Sequence, residues 1–158
     1  MKKVGFLAAL LMLAMLCGAS SEARAQGKAK TGPDASTIRD AELEKDSLHN
    51  LEVARHYFKL KKAYVAAIKR CEEIIAGNPN FSRMDEVLFI AGESSLRLAE
   101  NRGKQAPNLP ADKLRDDARD YLSRLVQLYP QSSFRKQAES DLPGVGGLKK
   151  IEEETSKP

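Results

Sequence analysis

The sequence predicts an all-α fold of antiparallel helical hairpins, stacked as a right-handed solenoid of about two repeats plus a capping helix. From residue 38 to 142, apolar residues recur three to five positions apart, which is the spacing of one helix face. Glycine and proline interrupt this period at residues 77–80, 103–110 and 130. An alanine, an apolar residue and a proline also recur at an offset of 51 residues.

The N-terminus has the pattern of an export signal. Two lysines precede an apolar run over residues 4–16, and an Ala-Arg-Ala sequence ending at Ala25 has the small residues that a signal peptidase recognises. The run is too short for a membrane-spanning helix, which needs about 20 apolar residues. We interpret residues 1–25 as a signal peptide. Its removal leaves 23 Lys and Arg against 21 Asp and Glu, a net charge of +2 instead of +4.

Cys17 offers a second processing route, because a cysteine at the end of the apolar run is the lipidation site of a lipoprotein signal. Leu16 stands where lipoprotein signals have a small residue, which favours cleavage after Ala25. Both routes stay open, and mass spectrometry of the mature N-terminus separates them. Cys71 lies on an apolar helix face, where we expect a small buried hydrophobe and no intramolecular disulfide.

The composition argues against several classes of protein. Two cysteines are too few for a disulfide scaffold, no second apolar stretch is long enough to span a membrane, and an exported protein does not meet intracellular nucleic acid. We therefore expect one helical domain over residues 38–142. A flexible linker at 26–37 precedes it and a disordered tail at 143–158 follows it.

The first two helices are predicted to form a hairpin. Their apolar faces consist of Leu43, Leu48, Leu51, Ala54 and Phe58 in the first, and Tyr64, Ala67, Ile68, Cys71, Ile74 and Ile75 in the second. The first helix should end near Lys61, and only a tight connection fits before the second, so the two should pack antiparallel. The Gly77-Asn78-Pro79-Asn80 sequence should end the second helix.

Three further helices are predicted. Ser82, with Asp85 three residues later, predicts a capping box for the third helix. Residues 100–112 contain a glycine and two prolines and should form an exposed loop, after which Asp112 caps the fourth helix. The fourth should end at Tyr129-Pro130, and a short fifth helix should follow over about residues 133–142.

An internal repeat connects the two halves of the domain. The recurring residues are Ala67, Cys71 and Pro79 in one copy and Ala118, Leu122 and Pro130 in the other. A tetratricopeptide repeat is about 34 residues long, so this offset equals one repeat plus the proline-bearing loop. A small alanine lets two helices cross closely, and the proline ends the second helix of each copy. The pattern therefore indicates tetratricopeptide-like repeats.

These residues also resemble a known family. Residues 51–70 (LEVARHYFKLKKAYVAAIKR) closely resemble a repeat hairpin of the BamD family, the tetratricopeptide-type lipoproteins of the outer-membrane β-barrel assembly machinery. Residues 79–98 and 129–142 are similar to the stretches between its repeats, including the small pair Ala91-Gly92. The resemblance covers about residues 47–142. It implies a periplasmic, non-enzymatic role in outer-membrane protein assembly, with anchorage to the outer membrane and β-barrel assembly components as partners.

Other motifs give weaker signals. His49, Glu52 and His56 share one helix face and resemble a zinc site, but the chain has no third histidine, so we expect solvated side chains and no metal. Residues 144–147 look like a glycine-rich phosphate loop, yet they follow no apolar strand. Ser94-Ser95 lacks a recognisable partner base. We expect no cofactor and no catalysis.

The most distinctive charge feature is a run of six basic residues without an acid around the tip of the first hairpin: Arg55, Lys59, Lys61, Lys62, Lys69 and Arg70. One interpretation is a solvated helix end whose cations complement the helix dipole. The other is a dock for an acidic partner segment or an anionic lipid surface, with an attraction that weakens as salt rises. On the concave face we predict these exposed partner-binding residues: Arg55, Lys59, Lys62, Glu93 and Arg97.

The sequence thus favours a non-enzymatic periplasmic scaffold that holds another envelope protein through its groove. The alternative is a small self-associating structural protein of the cell envelope, because two repeats lie near the lower limit for independent stability. The identity of the partner and the oligomeric state stay open.

Overall fold

The computed structural model describes residues 40–150, and this part of the chain is all-helical, as the sequence predicts. Its α-helices are α1 (Ala41–Arg55), α2 (Tyr64–Gly77), α3 (Met84–Ala99), α4 (Ala111–Leu128) and α5 (Arg135–Asp141). A π-helix, His56–Lys61, continues α1, and a 3₁₀ turn, Leu142–Val145, continues α5. The predicted signal peptide at 1–25 with Cys17, the linker at 26–37 and the end of the tail at 151–158 lie outside the described residues.

Local signals explain the first two helices. The Asp40 carboxylate accepts hydrogen bonds from the backbone N–H groups of Glu42 (2.9 Å) and Leu43 (3.3 Å), which satisfies two donors that a helix start leaves open. The predicted end of the first helix near Lys61 is confirmed, and so is the end of the second at Gly77.

The helix α3 forms the centre of the core. Each helix packs mainly against its neighbours in the sequence, so α3 is covered by both α2 and α4. Its fully buried residues include Val87, Leu88, Ala91, Ser94 and Leu98. Because little of α3 reaches solvent, a charged side chain on this helix needs a partner inside the protein.

Small residues let α3 and α4 approach closely. A Cβ atom added to Gly92 would lie 2.7 Å from the Leu122 side chain and 3.5 Å from the Ala118 carbonyl oxygen. Ala118 and Leu122 are fully buried, as are Ala67 and Cys71 of the first repeat copy. The role that the sequence assigns to these positions, a close helix crossing, is confirmed for α3 and α4.

The same backbone turn follows α2 and α4. After α2, the N–H groups of Asn78, Phe81 and Met84 donate to the carbonyls of Ile74, Asn78 and Phe81 at 2.8, 3.1 and 3.2 Å. After α4, those of Tyr129, Ser132 and Arg135 donate to Leu125, Tyr129 and Ser132 at 3.0, 3.0 and 3.2 Å. All three pairs are 51 residues apart, so the repeat found in the sequence is present in the backbone as well.

The capping box expected at Ser82 and Asp85 is wrong. The helix α3 begins two residues later, at Met84, and Arg83 precedes it without a side-chain cap. The Ser82 N–H donates to the Glu44 carboxylate of α1 at 3.3 Å. The Asp85 carboxylate accepts a hydrogen bond from Ser132 Oγ at 2.7 Å. Both polar groups therefore connect distant segments instead of capping their own helix.

The cap expected at Asp112 is also wrong, because α4 begins one residue before it, at Ala111, and Pro110 occupies the cap position. A proline with its fixed φ suits a helix start. Asp112 lies in the first turn, where a negative charge is favourable, and pairs with Arg115 at 2.9 Å. The predicted end of this helix at Tyr129 is confirmed.

The first part of the tail expected to be disordered from residue 143 is held against α4 by contacts that extend to Lys149. Val145 is buried in the 3₁₀ turn. Arg119 Nε donates to the Gly147 carbonyl at 2.8 Å, and the Lys149 N–H donates to Ser123 Oγ at 2.9 Å. The high glycine content of this segment is the reason that the sequence predicts disorder. In the structure, Gly146 adopts a left-handed conformation (φ 97°) that turns the chain back onto α4.

The helix crossing predicts opposite effects of two matched substitutions. Gly92→Ala should lower the free energy of unfolding by about 1–2 kcal/mol, because the added methyl group overlaps Leu122 and overpacks the core. Gly77→Ala should be neutral or stabilising by about 0.5–1 kcal/mol, since nothing lies within 4 Å of its Cβ position. Urea denaturation measures both. Equal effects would contradict the close crossing.

Candidate partner-binding site

The end of the first helix is wound more widely than the rest. From His56 to Lys61 the chain forms a π-helix, and Lys62 then adopts the left-handed conformation (φ 51°). Its neighbour Ala63 donates its N–H to the Tyr57 carbonyl at 3.0 Å, which closes the helix end. A lysine in this conformation is uncommon, so surrounding contacts must hold it there.

Arg97 of α3 contacts the aromatic residues on both sides of Lys62. Its guanidinium carbon lies 4.5 Å from the ring centre of Phe58 and 5.6 Å from that of Tyr64, both within the range of a cation–π interaction. The two rings are buried, and their centres are 5.9 Å apart. Arg97 therefore fixes the end of the π-helix and the start of α2 against α3.

The loop between α3 and α4 contacts Lys62 itself. The Lys104 N–H donates to the Lys62 carbonyl at 3.0 Å. Gly103 has φ 108°, and a Cβ there would lie 2.7 Å from the Tyr64 ring and 2.8 Å from the Lys62 carbonyl oxygen. A glycine is required at this position by both its conformation and its close approach. The loop consequently brings Lys104 next to Lys62.

We call the resulting surface the lysine tip: Lys59, Leu60, Lys61, Lys62 and Lys104. All five side chains are exposed. Leu60 has 68% of its surface accessible, the highest value among the exposed large apolar residues of the described chain. Within residues 40–150, no carboxylate forms an ion pair with any of these four lysines. The surface combines four unpaired cations with one exposed apolar side chain.

Arg55, which the sequence assigns to the exposed partner-binding set, is half-buried and held in an ion pair with α3. Its guanidinium makes a bidentate pair with the Glu86 carboxylate, with Nε to Oε1 at 2.5 Å and Nη2 to Oε2 at 2.7 Å. Arg83 adds a third contact to Glu86 at 2.7 Å. Burial tends to raise the pKa of the Glu86 carboxyl, but the hydrogen bonds and charge of Arg55, with the charges of Arg83 and Lys59, lower it below its usual value.

The expectation that Glu93 is exposed is wrong, since 6% of its surface is accessible. Its carboxylate accepts a hydrogen bond from Arg97 Nη2 at 2.7 Å. Burial is the main reason that the pKa of Glu93 is raised, and Asp141 adds to the rise against the opposing charge of Arg97. Glu93 and Arg97 thus join α3 to its neighbours.

The predicted set therefore separates into two groups. Lys59 and Lys62 lie together on the exposed lysine tip, whereas Arg55, Glu93 and Arg97 make the ion pairs beneath it. Lys104 and Leu60 were missed. Leu60 carries a local signal, because it is an apolar residue between lysines and off the buried face of its helix. Lys104 carries none, since only the folded loop brings it beside Lys62.

The structure also shows where the remaining sequence motifs lie. His49, Glu52 and His56 are all exposed on the first helix, and no group of three or more potential metal ligands occurs within residues 40–150. Of residues 144–147, Gly144 and Val145 belong to the 3₁₀ turn, Gly146 is its cap, and Gly147 follows it. The expectation for Cys71 is confirmed: it is a free, fully buried thiol, and burial raises its pKa to about 12.

Comparison of the chain with protein-family models, curated proteins and solved structures finds no match. Within residues 40–150, none of the helices has the length and apolar character needed to cross a membrane.

The ion pair at Glu86 predicts a loss of stability in acid. The pKa of Glu86 is lowered in the folded state. The ionised carboxylate therefore stabilises the fold at pH values above its pKa in the unfolded chain, and this stabilisation is lost as pH falls below about 4.5. Glu86→Gln should lower the free energy of unfolding by about 2 kcal/mol at pH 7, because Arg55 and Arg83 lose a buried charged acceptor. Urea denaturation should show this difference shrinking with acidification. A difference that is independent of pH would contradict the assignment.

Glu93 predicts the opposite dependence. The pKa of Glu93 is raised in the folded state. The protonated carboxyl therefore stabilises the fold at pH values below its pKa in the unfolded chain. This stabilisation is lost as pH rises through the pKa of the folded state, above about 4.5. We compare Glu93→Gln with the wild type by urea denaturation at a series of pH values. The wild type should lose stability relative to the variant as pH rises. A relative gain would contradict the buried carboxyl pair.

Proposed function

We propose that this chain is a non-enzymatic scaffold of the cell envelope, which holds another envelope protein by binding an acidic segment of it at the lysine tip. The observation that carries the proposal is that Lys59, Lys61, Lys62 and Lys104 are exposed without an ion pair in the described chain, at the helix end that also exposes Leu60. Unpaired cations on one rigid end of a helical framework attract an acidic segment, and the apolar side chain gives it a desolvated contact.

The architecture of the scaffold is a tetratricopeptide-like solenoid of two antiparallel helical hairpins, α1 with α2 and α3 with α4, followed by α5 as the capping helix. The identical hydrogen-bonded turns after α2 and α4, 51 residues apart, support two copies of one unit. The two-residue connection after the π-helix supports an antiparallel first hairpin. Stacked hairpins of this kind commonly present a surface for a partner segment.

The ion pairs beneath the tip give it a fixed geometry. Arg55 joins α1 to α3 through Glu86, and Arg97 joins the π-helix and α2 to α3. In the proposal these arginines are positioning residues, and Lys59 and Lys62 contact the partner. Holding the backbone of Lys62 in place lowers the conformational entropy that binding would otherwise cost.

The cellular location and the process named in this proposal are inferred from the sequence. The export signal at residues 1–25 favours the periplasm, and the resemblance of residues 47–142 to the BamD family favours a role in outer-membrane protein assembly. In this form of the proposal, the acidic segment belongs to a component of that assembly machinery. Anchorage at the outer membrane depends on lipidation of Cys17, the alternative processing route.

A second candidate is a small self-associating structural protein of the envelope. It is favoured by Leu43 and Leu48 of α1, whose surfaces are 45% and 42% accessible, and by Leu128 at the end of α4, at 55%. Sedimentation of the mature protein separates the two functions. A monomer over the micromolar range would count against self-association.

Charge reversal at the lysine tip tests the scaffold. The double variant Lys59→Glu, Lys62→Glu should weaken capture of partners from envelope extracts by about tenfold, because two attractions become repulsions at roughly 0.2–1 kcal/mol per exposed pair. The matched control is Lys45→Glu, Lys136→Glu, which reverses two exposed, unpaired lysines elsewhere. Capture by the wild type should also fall as salt rises. The same partners at the same yield in all three proteins would contradict the proposal.

A further inference from the structure

One face of the first helix is only partly covered by the rest of the described chain. The helix α1 packs mainly on α2, and it meets α3 through Arg55, which pairs with Glu86. A helix turns by about 100° per residue, so Val53 and Tyr57, two positions before and after Arg55, lie roughly 160° around the helix from it. Both side chains are half-buried. The side of α1 that faces away from α3 is therefore open along its edge.

The residues on this side have the spacing of a coiled-coil seam. Leu43, Asp46, Asn50, Val53 and Tyr57 follow one another at intervals of three and four residues, as the a and d positions of a heptad do. We call these five residues the α1 seam. They span about 21 Å at 1.5 Å per residue. Such a seam is suited to pairing with a second helix.

Charges of opposite sign lie at the two ends of the α1 seam. Glu42 and Asp46 are exposed near its start, and Lys61 is exposed four residues after Tyr57, about one turn of the wide π-helix. Within residues 40–150, none of these three charged groups forms an ion pair. Two antiparallel copies bring the acidic start of each helix to the basic end of the other, whereas parallel copies bring like charges together. The face is therefore complementary to itself.

The other end of the domain is covered by its own chain. The helix α5 and the 3₁₀ turn pack on α4, and the chain stays on α4 until Lys149, whose N–H donates to Ser123 Oγ at 2.9 Å. Stacked helical repeats need a polar or covered face at each end. At the first hairpin, Leu43 has 45% of its surface accessible at the start of the seam. A second copy would cover this end of the domain.

We propose that two copies of this protein associate through their α1 seams, as antiparallel helices related by a two-fold axis between Asn50 and Val53. Asp46 of each copy then lies opposite Tyr57 of the other, and Glu42 lies near Lys61 of the other. Asn50 faces Val53, and a polar residue at an a position specifies the register. Because a two-fold interface uses the same surface twice, each contact occurs twice.

This inference rests on self-association, the second candidate function, and gives it a specific interface. It does not rest on partner binding at the lysine tip, because Lys59 and Lys62, which are proposed to contact the partner, are not part of the α1 seam.

Charge exchange tests the pairing by sedimentation equilibrium of the mature protein. The variant Glu42→Lys, Asp46→Lys and the variant Lys61→Glu should each weaken the dimer by about tenfold, because attractions become repulsions. An equal mixture of the two variants should recover the dimer, since each supplies the charge that the other has lost. The control Lys45→Glu, an exposed change on α1 outside the seam, should leave the dimer intact.

Disulfide formation under air oxidation tests the direction of the helices. A mixture of Asp46→Cys and Tyr57→Cys should give a crosslinked dimer, and neither variant alone should. In an antiparallel pair the two copies of residue 46 lie about 16 Å apart along the axis, which is too far for a disulfide. Cys71 does not compete, because it is fully buried and burial raises its pKa to about 12.

The possible outcomes separate this interface from the other proposals. A wild type that stays monomeric would overturn both the interface and the self-associating function, and would leave the charge reversal at the lysine tip as a separate test of the scaffold. A dimer that withstands both charge variants, a mixture that recovers no dimer, or crosslinking of a single cysteine variant would overturn the antiparallel α1 interface alone.

Discussion

The structure depends on the environment of one guanidinium, that of Arg97. It lies over the buried rings of Phe58 and Tyr64, so it joins the end of the first helix and the start of the second to α3. It also donates to the Glu93 carboxylate, whose pKa is raised in part by Asp141 of α5. A planar cation that stacks on aromatic rings and donates to a carboxylate at the same time is a role for arginine and not for lysine.

These different roles of arginine and lysine explain why the basic residues between positions 55 and 70 do not form one uniformly charged surface. Arg55 and Arg97 form directional pairs that determine the backbone geometry, whereas the lysines extend from that framework without ion partners in the described chain. Strongly hydrated, mobile ammonium groups cost little to leave in water and remain available to an acidic segment. The same arginines that the sequence suggested as partner contacts are instead paired within the protein, Arg55 with Glu86 and Arg97 with Glu93.

The parts of the fold that could be predicted are those with local causes. The residues before Pro79 and Pro130 end helices because a residue that precedes proline disfavours the helical conformation. The 51-residue repeat was visible in three spaced residues. Other features depend on contacts between distant segments, such as Ser82 with Glu44. Glu93 looked exposed because charge normally indicates solvent, but the central position of α3 buries it. For the same reason, Lys104 could not be assigned to the lysine tip.

The central claim is that the lysine tip binds an acidic segment by charge. The most direct measurement is an NMR titration of the mature protein with a glutamate-rich peptide at low and high salt. The account predicts shifts of the amides of residues 59–62 and 104 at low salt, which decrease as salt rises because the attraction is screened. Shifts confined to other surfaces, or shifts at the tip that are insensitive to salt, would contradict it.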